Sequence, residues 1–215
     1  MAKEGLGTIS FSLLLVVVST VGAVISDYSF FILFAGLCWI IFLLTLYFFR
    51  DPERQLPSGQ NIIVSPADGK IVSIESVRES EFINEGTHKI SIFMSPLDVH
   101  INRIPISGRV TYFRYVHGKF LAAYKPEAST RNEQTIIGIE NQRIRIMFKQ
   151  IAGVLARRII CRISENQSVE IGQRFGLIKF GSRVEIFLPF QVELKIKEGQ
   201  KAIGGETILG VIQNA

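Results

Sequence analysis

Apolar positions along this chain fall into two regimes. From Gly5 to Ser26, and again from Tyr28 to Phe49, the sequence runs for 22 residues without a charge, and only Asp27 separates the two runs. At about 1.5 Å per residue, each covers roughly 30 Å as a helix, the hydrocarbon thickness of a bilayer. The pattern predicts two membrane spans joined by a tight turn. A cleaved signal peptide followed by a core helix is the alternative. However, the first run lacks a small-x-small cleavage site, and the second is too long and too rich in Phe and Leu.

A polar, proline-bearing junction, "RDPERQLPSGQ" (50–60), ends the second run, and the signals then become those of strands. The stretches "IVSI" (71–74), "KISIFM" (89–94), "GRVTYFRYV" (108–116), "QTIIGI" (134–139) and "QRIRIMF" (142–148) alternate or are rich in β-branched residues. Glu140-Asn141 reads as the turn between the last two. In "GSRVEIFLP" (181–189), Val184, Ile186 and Leu188 alternate with Glu185 and Phe187, the period of a half-buried strand. The β pattern also runs through "SVEIGQRFGLIKF" (168–180) and "LKIKEGQKAIGGETILGVI" (194–212), while "IAGVLARRIICRI" (151–163) fits a strand or a short helix. Residues 120–133 lack periodicity and read as a mobile loop, a kind of segment that often carries function.

The expected fold is therefore mainly β: a single, barrel-sandwich-like soluble domain over residues 51–215, preceded by a two-helix transmembrane hairpin over 1–50. Two glycine-containing corners, "SPADGKIVSI" (65–74) and "KEGQKAIGGETIL" (197–209), resemble those of lipoyl and biotinyl carriers. This admits a non-enzymatic, membrane-tethered lipoyl-like adaptor as an alternative function. A carrier needs a modifiable Lys at a hairpin tip. Lys70 and Lys201 qualify by position but lack the apolar flanks.

Charge refines the picture. Lys3, Glu4, Asp27 and Arg50 cancel within the first 50 residues, so the soluble part carries the whole net charge of +5. A basic domain tethered to a bilayer is drawn to anionic headgroups. Nucleic acid is not an expected partner, because zinc-finger, RNP-like and helix-turn-helix patterns are lacking. Lys3, Arg50 and Arg54 flank the spans and the connecting turn holds no basic residue. That bias predicts a multi-pass protein of the cell membrane with the domain on the cytoplasmic side. Cys38 lies in a span and Cys161 in an apolar run, so neither a disulfide nor a metal site is expected.

Few residues are candidates for chemistry. Of the three histidines, His88 and His117 sit in polar, turn-like surroundings. His100, in "SIFMSPLDVHINRIP", follows a strand end beside Asp98 and Arg103, a setting that suits a general acid or base near neutral pH. Asp68, in "SPADGK", is equally a turn aspartate before glycine and a candidate carboxylate. Asp68, His100 and Ser182 together are the parts of an activated nucleophile. Ser182 lacks the G-x-S-x-G elbow, because Phe180 and Val184 occupy the glycine positions, and this disfavours a serine hydrolase.

Seven pieces in order carry a family resemblance: "FFRDPER" (48–54), "SPADGKI" (65–71), "FMSPLDVHINRIPISGRV" (93–110), "NEQT" (132–135), "IAGVLARRIICRI", "GQRFGLIKFGSRVEIFLP" (172–189) and "GQKAIGGETILG" (199–210). The chain resembles the short-form phosphatidylserine decarboxylase proenzymes. The resemblance implies self-cleavage between Gly181 and Ser182, giving a β chain, 1–181, and an α chain, 182–215, that stay associated. Ser182 attacks the Gly181 carbonyl, the resulting ester undergoes β-elimination, and hydrolysis of dehydroalanine leaves a pyruvoyl group, the covalent cofactor. Glycine allows the unusual backbone geometry that this attack needs. His100, oriented by Asp68 or alternatively by Asp98, takes the serine proton.

The implied activity is decarboxylation of phosphatidylserine in the membrane, or of its archaeal ether analogue, to phosphatidylethanolamine, with His100 as proton donor. Arg103, chosen for its charge, and Asn102 beside it are candidates to hold the lipid phosphate. Long-range β pairing is compatible with a homodimer. Long-form relatives carry a second histidine three positions after the first and cut at Leu-Gly-Ser-Thr. This chain has Arg103 and Phe-Gly-Ser-Arg, which leaves His100 to assist both steps.

Overall fold

The computed structural model describes residues 1–26, 28–154, 159–179 and 181–213. It divides into two compact units, Met1–Pro52 and Glu53–Ala215. In the first, a single 3₁₀ turn (Lys3–Gly5) leads into α1 (Leu6–Ile25), and α2 (Ser29–Phe48) follows. Both helices are long and apolar enough to cross a membrane. Phe11, Leu14, Phe30, Leu33 and Ile40 face outward, which is costly against water and favourable against lipid. The positions buried between the helices are mostly small: Ser12, Val16 and Ser19 on α1, Ala35 and Cys38 on α2. Small residues let two helices approach closely. The Ser12 and Ser19 hydroxyls donate to the Ile9 and Val16 carbonyls at 2.9 and 3.1 Å, so neither is left unsatisfied in an apolar setting. Asp27, at the expected turn, lies outside the described residues.

The second unit is built almost entirely of strands. Its first half holds β1 (Ile62–Val64), β2 (Gly69–Arg78), β3 (Gly86–Met94), β4 (Ile101–Arg103), β5 (Gly108–Val116), β6 (Gln134–Glu140) and β7 (Arg145–Ile151). Then come β8 (Ile159–Cys161), β9 (Ser168–Val169), β10 (Arg174–Ile178), β11 (Ser182–Pro189), β12 (Val192–Leu194), β13 (Lys201–Ala202) and β14 (Ile208–Ile212). One short helix, α3 (Ala128–Arg131), interrupts the series. A curled eight-stranded sheet runs β13-β2-β3-β11-β7-β6-β5-β9, beside two three-stranded sheets, β1-β14-β12 and β4-β10-β8. Their shared core includes Ile71, Ile90, Ile92, Phe148, Phe175, Val184 and Ile186, all fully buried. Mainly β architecture behind two apolar helices is thus what the structure shows.

Particular elements depart from the sequence reading. β11 is not half-buried: all eight of its residues are buried, because it lies in mid-sheet between β3 and β7 and is covered on both faces. Val184, Ile186 and Leu188 enter the main core, whereas Phe187 joins Phe82, Ile83, Ile136 and Met147 in a second cluster. β7 begins later than expected, because Asn141 Oδ1 accepts the N–H groups of Arg143 and Ile144 at 3.0 and 3.1 Å and widens the turn. Residues 168–178 hold two strands, separated by a turn in which Gly172 has φ +77°. β8 is a strand, and residues 155–158 before it lie outside the described residues.

The 120–133 segment, expected to be a mobile loop, is packed in place with Ala123, Ala128 and Asn132 buried. Lys70 and Lys201 face each other across β2 and β13 rather than standing at hairpin tips, which removes the basis for a carrier.

Candidate active site

Antiparallel pairing of β4 with β10 carries His100 to the segment that precedes Ser182. Asn102 lies opposite Gly176 and Ile101 opposite Leu177, and the Ile178 N–H donates to the His100 carbonyl at 3.4 Å. The imidazole is fully buried, with Nδ1 2.9 Å from the Asp98 main-chain oxygen. A carbonyl can only accept, so Nδ1 carries the proton and Nε2 is the basic nitrogen.

Ser182 opens β11 directly opposite Met94 of β3, and both are fully buried. Its hydroxyl lies 3.3 Å from Met94 Sδ, a weak acceptor. The same sulfur receives Asn102 Nδ2 at 3.8 Å, Asn102 Oδ1 accepts from Gln150 Nε2 at 2.8 Å, and Gln150 Oε1 accepts from the Thr135 hydroxyl at 2.7 Å. A buried polar chain therefore runs from β6 through β7 and β4 to the serine.

Gly181 has φ +63°, the left-handed region that glycine enters at little cost, and no atom lies within 4 Å of where a Cβ would stand. Its carbonyl is not free to move. Gly153, in the continuation of β7, backs onto it so closely that a Cβ there would stand 1.9 Å from the oxygen and 3.0 Å from the carbon. Gly153 is itself anchored through its neighbour: the Ala152 N–H donates to the Glu133 carbonyl at 2.9 Å, and the Ala152 carbonyl accepts from Asn132 Nδ2 at 2.7 Å. Asn132 also bonds both backbone groups of Leu121, at 2.8 and 2.9 Å. The bond expected to be cut is thus held between a fixed carbonyl and a buried hydroxyl.

A second cluster surrounds Asp68. Its Oδ2 pairs with Arg54 at 2.7 Å, and its Oδ1 accepts the Gly204 N–H at 2.9 Å. Burial raises the Asp68 pKa above the ordinary carboxylate value, against the lowering effects of the Gly204 N–H and the Arg54 charge. Arg103 donates to the Gly172 carbonyl at 3.0 Å and packs on Gly205, where a Cβ would stand 2.8 Å from its Cδ.

No hydrogen bond joins Asp68, His100 and Ser182 among the described residues. The sequence reading sets Asp68 against His100, but its oxygens turn to Arg54 and Gly204, while the Asp98 backbone orients the imidazole. β3 lies between β2 and β11, which puts Asp68 about 10 Å from Ser182 at two strand spacings. The Asp98 carboxylate accepts the Ser95 N–H at 2.8 Å. Phe180, next to the expected cut, lies outside the described residues.

Sequence reasoning missed Arg54, Asn132, Gln150 and Gly153 as parts of the site. Three of them stand inside quoted motif pieces, Arg54 in "FFRDPER", Asn132 in "NEQT" and Gly153 in "IAGVLARRIICRI", so the signal lay in those pieces. Gln150 had none.

Comparison with known proteins covers the same region. The family described as Phosphatidylserine decarboxylase matches residues 41–210. A phosphatidylserine decarboxylase proenzyme of Chlorobium phaeobacteroides is 51% identical over 170 residues, covering 79% of this chain and 80% of the relative. Proteins of the same description from Prosthecochloris aestuarii and Cytophaga hutchinsonii are 46% and 48% identical, covering 81% and 79% of this chain and 80% and 78% of their own.

Proposed function

Because the chain belongs to the phosphatidylserine decarboxylase family, we propose that it acquires its activity by cutting itself between Gly181 and Ser182. The family decarboxylates phosphatidylserine, and a non-enzymatic adaptor is not favoured. The observation that carries the proposal is the seating of the Gly181 carbonyl against Gly153, directly before a buried serine hydroxyl.

In this reading His100 Nε2 accepts the Ser182 proton, and Oγ bonds to the Gly181 carbonyl carbon. His100 passes that proton to the peptide nitrogen, which leaves as the amine of residue 182, and the amide becomes an ester. Loss of the Ser182 α-hydrogen expels the Gly181 carboxylate. Water hydrolyses the resulting dehydroalanine to a ketone and ammonia, which leaves a pyruvoyl group on Arg183. The pocket suits such a group: position 182 is buried, faces a thioether rather than an amine, and has the Asn102 amide across Met94. A pyruvoyl group at position 182 would supply a ketone able to bind an amine and an electron sink for decarboxylation.

His100 also returns a proton to the substrate α-carbon, so one imidazole serves both steps, Arg103 standing where long-form relatives have their second histidine. Arg103 and Asn102 contact the lipid headgroup. Asp68 acts with Arg54 by fixing the Gly204–Gly205 turn on which Arg103 packs. Residues 1–50 anchor the domain 51–215, which faces the cytoplasm by the basic bias of the flanks. Pairing of β11 with β3 and β7 keeps the α chain, 182–215, on the β chain, 1–181.

Denaturing mass spectrometry of the wild type beside Ser182→Ala tests the proposal. The expected result is two pieces from the wild type, the smaller of 34 residues, blocked to amino-terminal sequencing and reactive with hydroxylamine, and a whole chain from the variant. A wild type that stays whole under folding conditions, without carbonyl reactivity, overturns it.

A further inference from the structure

We propose that the rim around Gly181 and Ser182 is a docking surface for a bilayer of anionic phospholipid; this rests on the decarboxylase reading. Among the described residues of the second unit, the most exposed large apolar side chains are Tyr124, Leu97 and Val154, at 69%, 62% and 54%. They come from three separate loops, yet all three border the cut site. Leu97 lies in the turn after Met94, the strand partner of Ser182. Val154 follows Gly153, the seat of the Gly181 carbonyl. Tyr124 follows Ala123, whose Cβ stands 3.4 Å from where a Gly153 Cβ would be.

The same end of the sheet is basic. Lys70 lies opposite Phe93 and pairs with Lys201, both are exposed, and Lys201 Nζ is 3.8 Å from Asp98 with its side chain 74% exposed. Lys125 is exposed beside Tyr124; the acidic residues nearby are Glu127, which is exposed, and Asp98, whose side chain is only 15% exposed. Apolar tips among lysines are what a bilayer interface selects: the tips enter the acyl boundary and the ammonium groups meet lipid phosphates and carboxylates. Protein-binding patches are depleted in lysine at their centres. A second copy is disfavoured, because a two-fold contact would set each lysine cluster against its twin. A water-soluble substrate would leave the apolar tips without a purpose. A lipid whose headgroup must reach buried Ser182 gives them one.

The test uses the full chain in phosphatidylcholine vesicles and two substrates: long-chain phosphatidylserine mixed into the bilayer, and dihexanoyl phosphatidylserine added below its micellar concentration. The variants are Leu97→Asp with Val154→Asp, and separately Lys70→Gln with Lys125→Gln. None of these side chains is buried, and self-cleavage into two pieces reports that each variant folds. The expected result is normal self-cleavage and unchanged turnover of the short-chain lipid, with turnover of the bilayer lipid lowered about tenfold or more in the apolar variant. The lysine variant should lose the response to added anionic lipid.

Wild-type turnover of the bilayer lipid by the apolar variant overturns the proposal, as does an equal loss on both substrates. If the apolar variant shifts the oligomeric state of the detergent-solubilised protein, the rim is an interface between copies and the proposal falls. If the wild type turns over neither lipid, the decarboxylase reading fails, and docking fails with it.

Discussion

A single methyl group added at Gly153 tests the geometry of the cut site most directly. The new Cβ of Gly153→Ala would stand 1.9 Å from the Gly181 oxygen and 3.0 Å from its carbon. Carbon and oxygen approach no closer than about 3.3 Å, so the two segments must part by more than an ångström. Gly153 cannot yield easily, because both backbone groups of Ala152 are held by Asn132 and Glu133. Overpacking of this kind costs roughly 1–3 kcal/mol of stability, a fraction of the 5–15 kcal/mol typical of a domain, so the variant should still fold. Misplacing a reacting carbonyl by about an ångström can slow its reaction roughly a hundredfold.

The assay follows the conversion of freshly made intact chain into two pieces by denaturing mass spectrometry, with thermal melts on the same samples. Gly199→Ala is the control. It sits at φ +83° with no atom within 4 Å of the new methyl, so it should lower stability by a similar amount and cut normally. A Gly153→Ala protein that melts as a folded domain and matures at the wild-type rate would refute the seating of the Gly181 carbonyl.

Three further outcomes follow from the described contacts. Asn132→Ala strips partners from the half-buried backbone groups of Leu121 and the buried carbonyl of Ala152 and should cost about 3 kcal/mol in denaturant unfolding, with slower self-cleavage as Gly153 loosens. Asp68 has its pKa raised by burial from the ordinary value of 3.8, so the folded protein holds its proton where the unfolded chain has lost it. Its contribution to stability therefore falls as pH rises from 3.8 through the raised value, and that part of the slope of melting temperature with pH should vanish in Asp68→Asn. Burial pushes the Cys161 thiol up to about 11, which leaves about a hundredfold less thiolate than an ordinary cysteine. Iodoacetamide at neutral pH should therefore modify it only after denaturation.

What the sequence reveals of this molecule depends on the range of the interaction. The two apolar runs and β5 were legible because period and length are local properties; β5 spans the same residues, Gly108–Val116, as the alternating stretch. β1 and β4 were not, since three residues are too few to display a period. The polar half of β11 looked solvent-facing, yet Arg183 and Glu185 are buried against Ser129, which lies 54 and 56 residues away in sequence. The candidate nucleophile, Ser182, and the candidate base, His100, stood out by residue type and local setting, and the motif pieces then gave them roles. Their surroundings were not, because Gly204 reaches Asp68 across 136 positions and Gln150 reaches Asn102 across 48.

β11 starts at Ser182 and is hydrogen-bonded on both edges in the middle of the sheet. The proposed cut before its first residue would leave the native contacts in place but change how they could be regained. While the chain is whole, folding is unimolecular and closure of the sheet carries only the slowly growing entropy of a loop. Once it is cut, the central strand belongs to a separate chain, and regaining it becomes a second-order encounter that weakens with dilution. Unfolding of the processed molecule is then irreversible in practice, with persistence set by an unfolding rate rather than an equilibrium. With the proposed cut, the sheet would be assembled once, by a chain that afterwards no longer existed in the form that built it.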